Sequence, residues 1–200
     1  MKGFGRRSRS HHVVLRLIFN VGWFVALWFP IPLFAAEARM DDVRVERQEG
    51  ILVVSAVLRN GFGKKTLDDL HNGLPKDLYY YIVLKRKQKN FLDEEILDKT
   101  LRYTVRFDTL KRQYVTTKDD GMDRQSTIWD DFESMQRAIT TIDRVPLAPV
   151  DILKPGRRYY VDVQAQMQMA RLPFYQEYLL FFIPFLEINT RWAHSGAFTR

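Results

Sequence analysis

Strict alternation of apolar and polar residues is the feature that most constrains the fold of this chain. From 161 to 169 the sequence VDVQAQMQM places an apolar residue at every second position, and LRYTVRFD at 101–108 repeats the pattern. Successive side chains of a β-strand point to opposite faces of the sheet, so each run predicts a strand that buries one face only.

Other segments carry weaker strand signals, with turn residues between several of them. These segments are 41–47, 51–59, 78–88, 112–117 and 187–193. The first two are separated by Glu49-Gly50, which predicts a hairpin. A total of about seven strands with intervening turns predicts a mainly β fold, an antiparallel immunoglobulin-like β-sandwich.

One amphipathic helix is predicted to pack on this sandwich. Its apolar stripe, at spacings of three and four, consists of Ile128, Phe132, Met135, Ile139 and Ile142. Acidic residues crowd its start, at Asp130, Asp131 and Glu133. A metal or acid-catalytic cluster is one interpretation of these carboxylates. Helix capping and interaction with the helix dipole are favoured, because acidic first turns are common.

The stretch LDDLHNGLP, residues 67–75, presents the same choice between a site and a structural signal. Asp68 and His71 share a face of a short helix, as a metal or acid–base pair would. Two ligands on one turn are too few for a metal site. Gly73 and Pro75 stand where a helix ends, so the stretch predicts a helix C-terminus that leads into the next strand.

The N-terminal residues predict export. Residues 1–16 contain several basic residues and no acid, 17–36 carry no charge, and Ala36-Glu37-Ala38 has the spacing that a signal peptidase recognises. Segment 1–38 is therefore interpreted as a signal peptide or a retained membrane anchor, with cleavage favoured because prolines follow the apolar run. The remainder, 39–200, is predicted to form a single β-sandwich domain on the periplasmic side of the inner membrane.

Composition excludes several chemistries. The chain has no cysteine, which rules out disulfides, thiolate nucleophiles and cysteine-ligated metals. Its net charge of +7 comes largely from the leader, so the charge gives little support to a nucleic-acid partner, and none is predicted. Ser195 follows His194, but no nucleophile-elbow motif surrounds it. No catalytic residue, metal or cofactor is predicted.

Two segments are candidate interaction surfaces. The first is the basic strand end formed by Lys85, Arg86, Lys87 and Lys89, with Lys111–Arg112 and Arg157–Arg158 as possible neighbours. Such a run is either a solvated, aggregation-resistant edge or a contact for anionic lipid headgroups or an acidic partner. The second is YLLFFIPFL at 178–186, which is too short to span a bilayer. It is either core or a surface for membrane or partner, with the candidate contacts Tyr178, Phe181, Phe182 and Phe185.

Several segments occur in an order that resembles a known family. LDDLHNGLP is followed by YYYIVLKRKQK, LRYTVRFDTLKRQYVT, FESMQRAITTI, PGRRYYVDVQAQM, LPFYQEYLLFF and EINTRW. This order resembles the bacterial domain-of-unknown-function family 4390 over nearly all of 40–194. The resemblance implies an export leader and, for some members, a gene next to a membrane sensor kinase. It implies no activity and no catalytic residue.

These observations lead to an expected function. We expect a non-catalytic binding or interaction module of the cell envelope that acts at the inner membrane surface, with a membrane protein such as a sensor kinase as a possible partner. Two alternatives stay open: a periplasmic carrier or sensor of a lipid or small apolar ligand, and a carboxylate-based hydrolase.

Overall fold

Antiparallel strands make up most of the chain in a computed structural model, which describes residues 37–89, 91–170 and 186–200. The described strands are β1 (Arg39–Gln48), β2 (Ile51–Arg59), β3 (Lys76–Arg86), β4 (Glu94–Asp108), β5 (Gln113–Asp119), β6 (Arg124–Trp129), β7 (Thr141–Pro149), β8 (Arg158–Met169), β9 (Leu186–Asn189), β10 (Ala193–His194) and β11 (Phe198–Thr199). The described helices are α1 (Lys64–His71) and α2 (Phe132–Thr140), and a short 3-10 turn covers Val150–Ile152.

The described strands form two sheets. The small sheet has the order β1-β2-β7, and the large sheet has the order β10-β8-β3-β4-β5-β6, with β9 and β11 also paired to β8. Every described pairing is antiparallel. The hairpin of β1 and β2 turns at Glu49 and Gly50, both of which have positive φ, as a two-residue hairpin turn requires.

One hydrophobic core joins the two sheets. The alternating apolar residues of β8, from Val161 to Met169, are all buried, and so are Leu78, Tyr80, Ile82 and Leu84 of β3. Apart from Met169, they belong to the same cluster as Leu52 and Val54 of the small sheet. The prediction of a mainly β, antiparallel, sandwich-like fold is confirmed.

The structure has more strands than the sequence patterns predicted. Strand β7 was not predicted because Pro146 and Pro149 lie within it and a proline cannot donate a ladder hydrogen bond. The two prolines are tolerated because β7 is an edge strand of the small sheet. Strand β6 was not predicted because its polar sequence RQSTIW shows no alternation.

Helix α2 is shorter than its apolar stripe. Ile128 lies in β6 and Ile142 in β7, so only the middle of the stripe is helical. Asp131 is the N-cap of α2, and its side chain accepts a hydrogen bond of 2.7 Å from the Ser134 N–H. The capping interpretation of the acidic cluster is therefore confirmed for Asp131.

Helix α1 ends within LDDLHNGLP, as predicted. Gly73 has a φ of +79°, its N–H donates to the Leu70 carbonyl, and the Leu74 N–H donates to the Asp69 carbonyl. These two bonds are those of a Schellman C-terminus. The His71 ring lies 2.6 Å from the Tyr114 hydroxyl (Nε2 to oxygen), so this histidine connects α1 to the large sheet.

Asp69 of the same helix has a structural role that its sequence context did not reveal. Its carboxylate lies 2.7 Å from Nζ of Lys76, whose side chain is fully buried at the start of β3. A buried ammonium group needs such a partner, because its desolvation is costly when it is unpaired.

Residues Glu37–Arg200 form one compact unit. No helix among the described residues is long and apolar enough to cross a membrane. The predicted leader up to residue 36 and the contacts proposed for Tyr178, Phe181, Phe182 and Phe185 lie outside the described residues.

Candidate functional site

A cleft lies where the end of β3 meets the start of β8. The two strands are antiparallel and pair Arg86 with Tyr159, so the basic tail of β3 runs beside the turn that precedes β8. The Lys87 N–H extends this pairing by one bond, 2.9 Å long, to the Arg158 carbonyl. Strand register therefore brings together two basic segments that are about seventy residues apart in the sequence.

The turn before β8 has a defined shape. Gly156 has a φ of +70°, which glycine adopts without strain, and the Arg157 N–H donates to the Lys154 carbonyl. The Lys154 N–H donates to the hydroxyl of Tyr159, a residue buried in the core, at 2.9 Å. The turn is thus attached to the core by a side chain of the strand that it precedes.

The cleft has a volume of about 590 Å³ and a strongly cationic lining. Its lining residues are Arg86, Lys87, Gln88, Lys89, Lys154, Gly156, Arg157 and Arg158. No acidic residue is among these described lining residues. Like charges that line one cleft repel one another, so an anion that enters the cleft offsets this repulsion.

Only one of these cations forms an ion pair within the described part of the chain. Arg86 pairs with Glu94, its cross-strand neighbour on β4. The other lining cations form no ion pair with a residue of 37–89, 91–170 and 186–200; they are Lys87, Lys89, Lys154, Arg157 and Arg158. Among them, Lys87 still attracts the nearby Asp93 carboxylate without forming an ion pair with it. Guanidinium and ammonium groups that are not paired with carboxylates are suited to bind phosphate oxygens.

A clamp beside the cleft holds the segment that carries its lysines. Asp93 accepts one hydrogen bond from the Gln88 N–H, at 2.9 Å, and another from the Tyr160 hydroxyl, at 2.7 Å. Both hydrogen bonds lower the pKa of Asp93, and the bond from the Gln88 N–H has the larger effect. The pKa of Tyr160 is raised, mainly by burial and to a smaller extent by the hydrogen bond to Asp93. At neutral pH the tyrosine therefore stays a donor and the carboxylate an acceptor.

Lys85, one of the four basic residues proposed from sequence, lies apart from the cleft. Its Nζ is 2.9 Å from Oδ2 of Asp162, a buried carboxylate on β8. The other oxygen of Asp162 bonds to Nδ1 of His194, which joins the short strand β10 to β8. The Lys85 charge is also 5.7 Å from the Trp192 ring centroid. Lys85 thus has an ion-pair partner within the protein, whereas Lys87 and Lys89 form no ion pair with a described residue.

Two of the four residues proposed as neighbours of the basic strand end line the cleft, and the other two lie away from it. Arg157 and Arg158 line the cleft. Lys111 and Arg112 follow the end of β4 at Asp108, whereas the β4 residue that faces Arg86 is Glu94, at the start of that strand. They therefore lie at the far end of the large sheet. Lys154 was not predicted, because its part in the cleft depends on the turn geometry.

The sequence analysis considered Ser195 as a nucleophile and acidic residues as metal ligands, and the structure describes both regions. The Ser195 hydroxyl accepts a hydrogen bond from the Val161 N–H and donates to the Gly196 carbonyl. Among the described residues, no group of three or more histidine, aspartate or glutamate side chains is arranged to hold a metal ion.

Comparison with known proteins gives one match. The model of the family described as domain of unknown function (DUF4390) matches residues 35–195. No curated protein and no solved structure matches the chain. The match covers all the described strands except β11 and includes both sides of the cleft, and it confirms the family that the order of segments resembled. This chain belongs to the DUF4390 family.

Proposed function

We propose that this protein is an exported, non-catalytic binding module that docks on the periplasmic surface of the inner membrane through its cationic cleft. The ligand is the phosphate of anionic lipid headgroups. Segment 1–38 delivers the domain to that surface, as a cleaved signal peptide rather than a retained anchor. A membrane sensor kinase stays a predicted partner that the domain would meet there.

The observation that carries this proposal is the group of five cations around one cleft that form no ion pair with a described residue. Elsewhere many basic side chains are paired, as Lys85 is with Asp162 and Arg102 with Asp119. Unpaired cations that converge on one cleft are a feature of anion recognition rather than of a merely soluble surface. Each such cation near an anionic membrane contributes about 1 kcal/mol of attraction.

Two features favour lipid phosphate over other anions. The export leader predicted from sequence removes nucleic acid as a partner and places a membrane within reach. The cleft also mixes guanidinium groups, which bind phosphate through two parallel hydrogen bonds, with lysines that act as point charges.

Vesicle binding tests the proposal. The segment from Arg39 onward should sediment with phosphatidylglycerol vesicles and not with neutral phosphatidylcholine vesicles. Replacing Lys87, Lys89 and Arg157 by Gln should weaken binding by about 3 kcal/mol, roughly a hundredfold, because about 1 kcal/mol is lost per charge.

The matched control is a triple Gln variant at Lys64, Arg106 and Lys111. These exposed cations lie away from the cleft and form no ion pair within the described residues. It lowers net charge by the same amount and should retain most of the binding. Equal losses in the two triple variants would mean that net charge, not the cleft, drives association, and an unchanged cleft variant would remove the proposal.

A further inference from the structure

Among the described residues, strand β6 is an open edge of the large sheet, and the other edges show how this fold protects such positions. Strand β1 carries a bulge between Asp41 and Arg44 and is densely charged. Strand β7 contains two prolines and two register shifts against β2. Beyond β8, the described strands β9, β10 and β11 are at most four residues long. Each is a known device against edge-to-edge pairing.

Strand β6 has none of these devices. Its six residues pair with β5 in a register without a bulge, it contains no proline, and it is uncharged from Gln125 to Trp129. All its residues except Trp129 are exposed, including Ile128, with 61% of its surface accessible. A regular exposed edge of this kind is a template for another strand.

The hydrogen-bonding parity of β6 follows from its turn. The Asp120 N–H donates to the Asp123 carbonyl, so that pair is a hydrogen-bonded one. Hydrogen-bonded and non-hydrogen-bonded pairs alternate along antiparallel strands. Counting from the turn through the register makes Arg124, Ser126 and Ile128 members of non-hydrogen-bonded pairs. Their backbone N–H and C=O groups therefore point away from β5, towards the open edge.

A side-chain contact supports this assignment. The hydroxyls of Thr117 and Ser126 lie 3.0 Å apart across the two strands. Side chains approach each other most closely at non-hydrogen-bonded positions of an antiparallel pair.

We propose that β6 pairs antiparallel with β6 of a second copy of this chain about a two-fold axis at Ser126. This register lets all three outward-facing residues bond, with Ser126 opposite itself and Arg124 opposite Ile128 of the second copy. The exposed Ile128 is then covered by the aliphatic part of an arginine. On the other face Gln125 meets Thr127, and no like charges oppose each other. The interface is isologous, the usual geometry of a homodimer.

Single-cysteine cross-linking tests the register, because the natural chain contains no cysteine. In the full chain, in membranes treated with an oxidant, Ser126→Cys should form a covalent dimer. The paired Cα atoms would be about 5.5 Å apart, within the range of a disulfide. Thr127→Cys, one residue away, should stay near background, since it faces Gln125 rather than itself. Asp143→Cys on the protected strand β7 is the control for random collision.

A second substitution tests the partner residues. Adding Ile128→Lys to Ser126→Cys puts a lysine opposite Arg124 of the second copy, so the cross-linked dimer should be lost. Ile128 is exposed, so the fold should be retained, which a thermal melt of the same variant checks. The proposal is overturned if Ser126→Cys dimerises no more than Asp143→Cys, if Ile128→Lys leaves the dimer intact, or if the cysteine cross-links only to a protein of different mass.

Discussion

At the scale of single residues, Gly73 decides how helix α1 ends. Its φ of +79° belongs to the left-handed region, and among the described residues, apart from Gly73 and its two chain neighbours, no heavy atom lies within 4 Å of the place that a Cβ would occupy. A substitution there therefore meets no steric clash, and its cost comes from the backbone conformation alone. For a non-glycine residue this cost is about 1 kcal/mol or somewhat more.

We therefore expect Gly73→Ala to lower the free energy of unfolding by about 1 kcal/mol. Urea unfolding with an unchanged m-value would measure it. Gly196→Ala is the matched control, because Gly196 also has open space around it but no positive φ. If both substitutions cost the same, the left-handed conformation of Gly73 would not be what ends the helix.

At the scale of elements, the start of helix α2 depends on the charge of Asp131. Two hydrogen bonds from Ser134 lower the pKa of Asp131 from its ordinary 3.8, and the bond from the backbone N–H has a larger effect than the bond from the hydroxyl. The folded chain therefore holds a proton at this site less readily than the unfolded chain. The carboxylate stabilises the fold at pH values above 3.8, and this contribution is lost as the pH falls through the lowered pKa.

The prediction is a stability difference that disappears in acid. Asp131→Ala should melt at a lower temperature than the natural chain at pH 7, and the two melting temperatures should converge as the pH falls through the lowered pKa of Asp131. Asp131→Asn should melt close to the natural chain at pH 7 and at a higher temperature than the natural chain in acid, since asparagine is an equally good N-cap that does not titrate. A difference that persists unchanged in acid would show that the side chain acts through packing rather than as a charged cap.

The same scale shows how much of the fold could be predicted from the sequence. Strands β4 and β8 were predictable because alternation alone sets which residues face the core. The ends of α2 were not, because Ile128 and Ile142 continue its apolar spacing although they belong to strands. Strand β7 was not predicted because it contains Pro146. A proline argues against a strand unless that strand is known to lie at the edge of a sheet, and the sequence does not show this.

The candidate site could also be predicted from the sequence only in part. The basic tail of β3 was visible as a charge run, and Arg157–Arg158 as another. That they meet depends on the register of β3 and β8, and that Lys85 is neutralised depends on Asp162 of the neighbouring strand. Both are long-range pairings, which local patterns do not encode.

At the scale of the whole molecule, two surfaces compete for the role of membrane contact. The cationic cleft acts through charge, whereas the apolar segment 178–186, which lies outside the described residues, would act through burial of apolar surface. These forces respond differently to salt. Added salt screens attraction between exposed charges, but it does not weaken apolar contacts.

The salt dependence of vesicle binding therefore tests the central claim most directly. Binding of residues 39–200 to phosphatidylglycerol vesicles should fall steeply between about 0.05 M and about 0.5 M NaCl, because the Debye length shrinks severalfold at the higher salt concentrations. The triple Gln variant at Lys87, Lys89 and Arg157 should show a shallower dependence. Binding that is unaffected by salt, and equally strong to neutral vesicles, would contradict the account and assign membrane contact to the apolar segment.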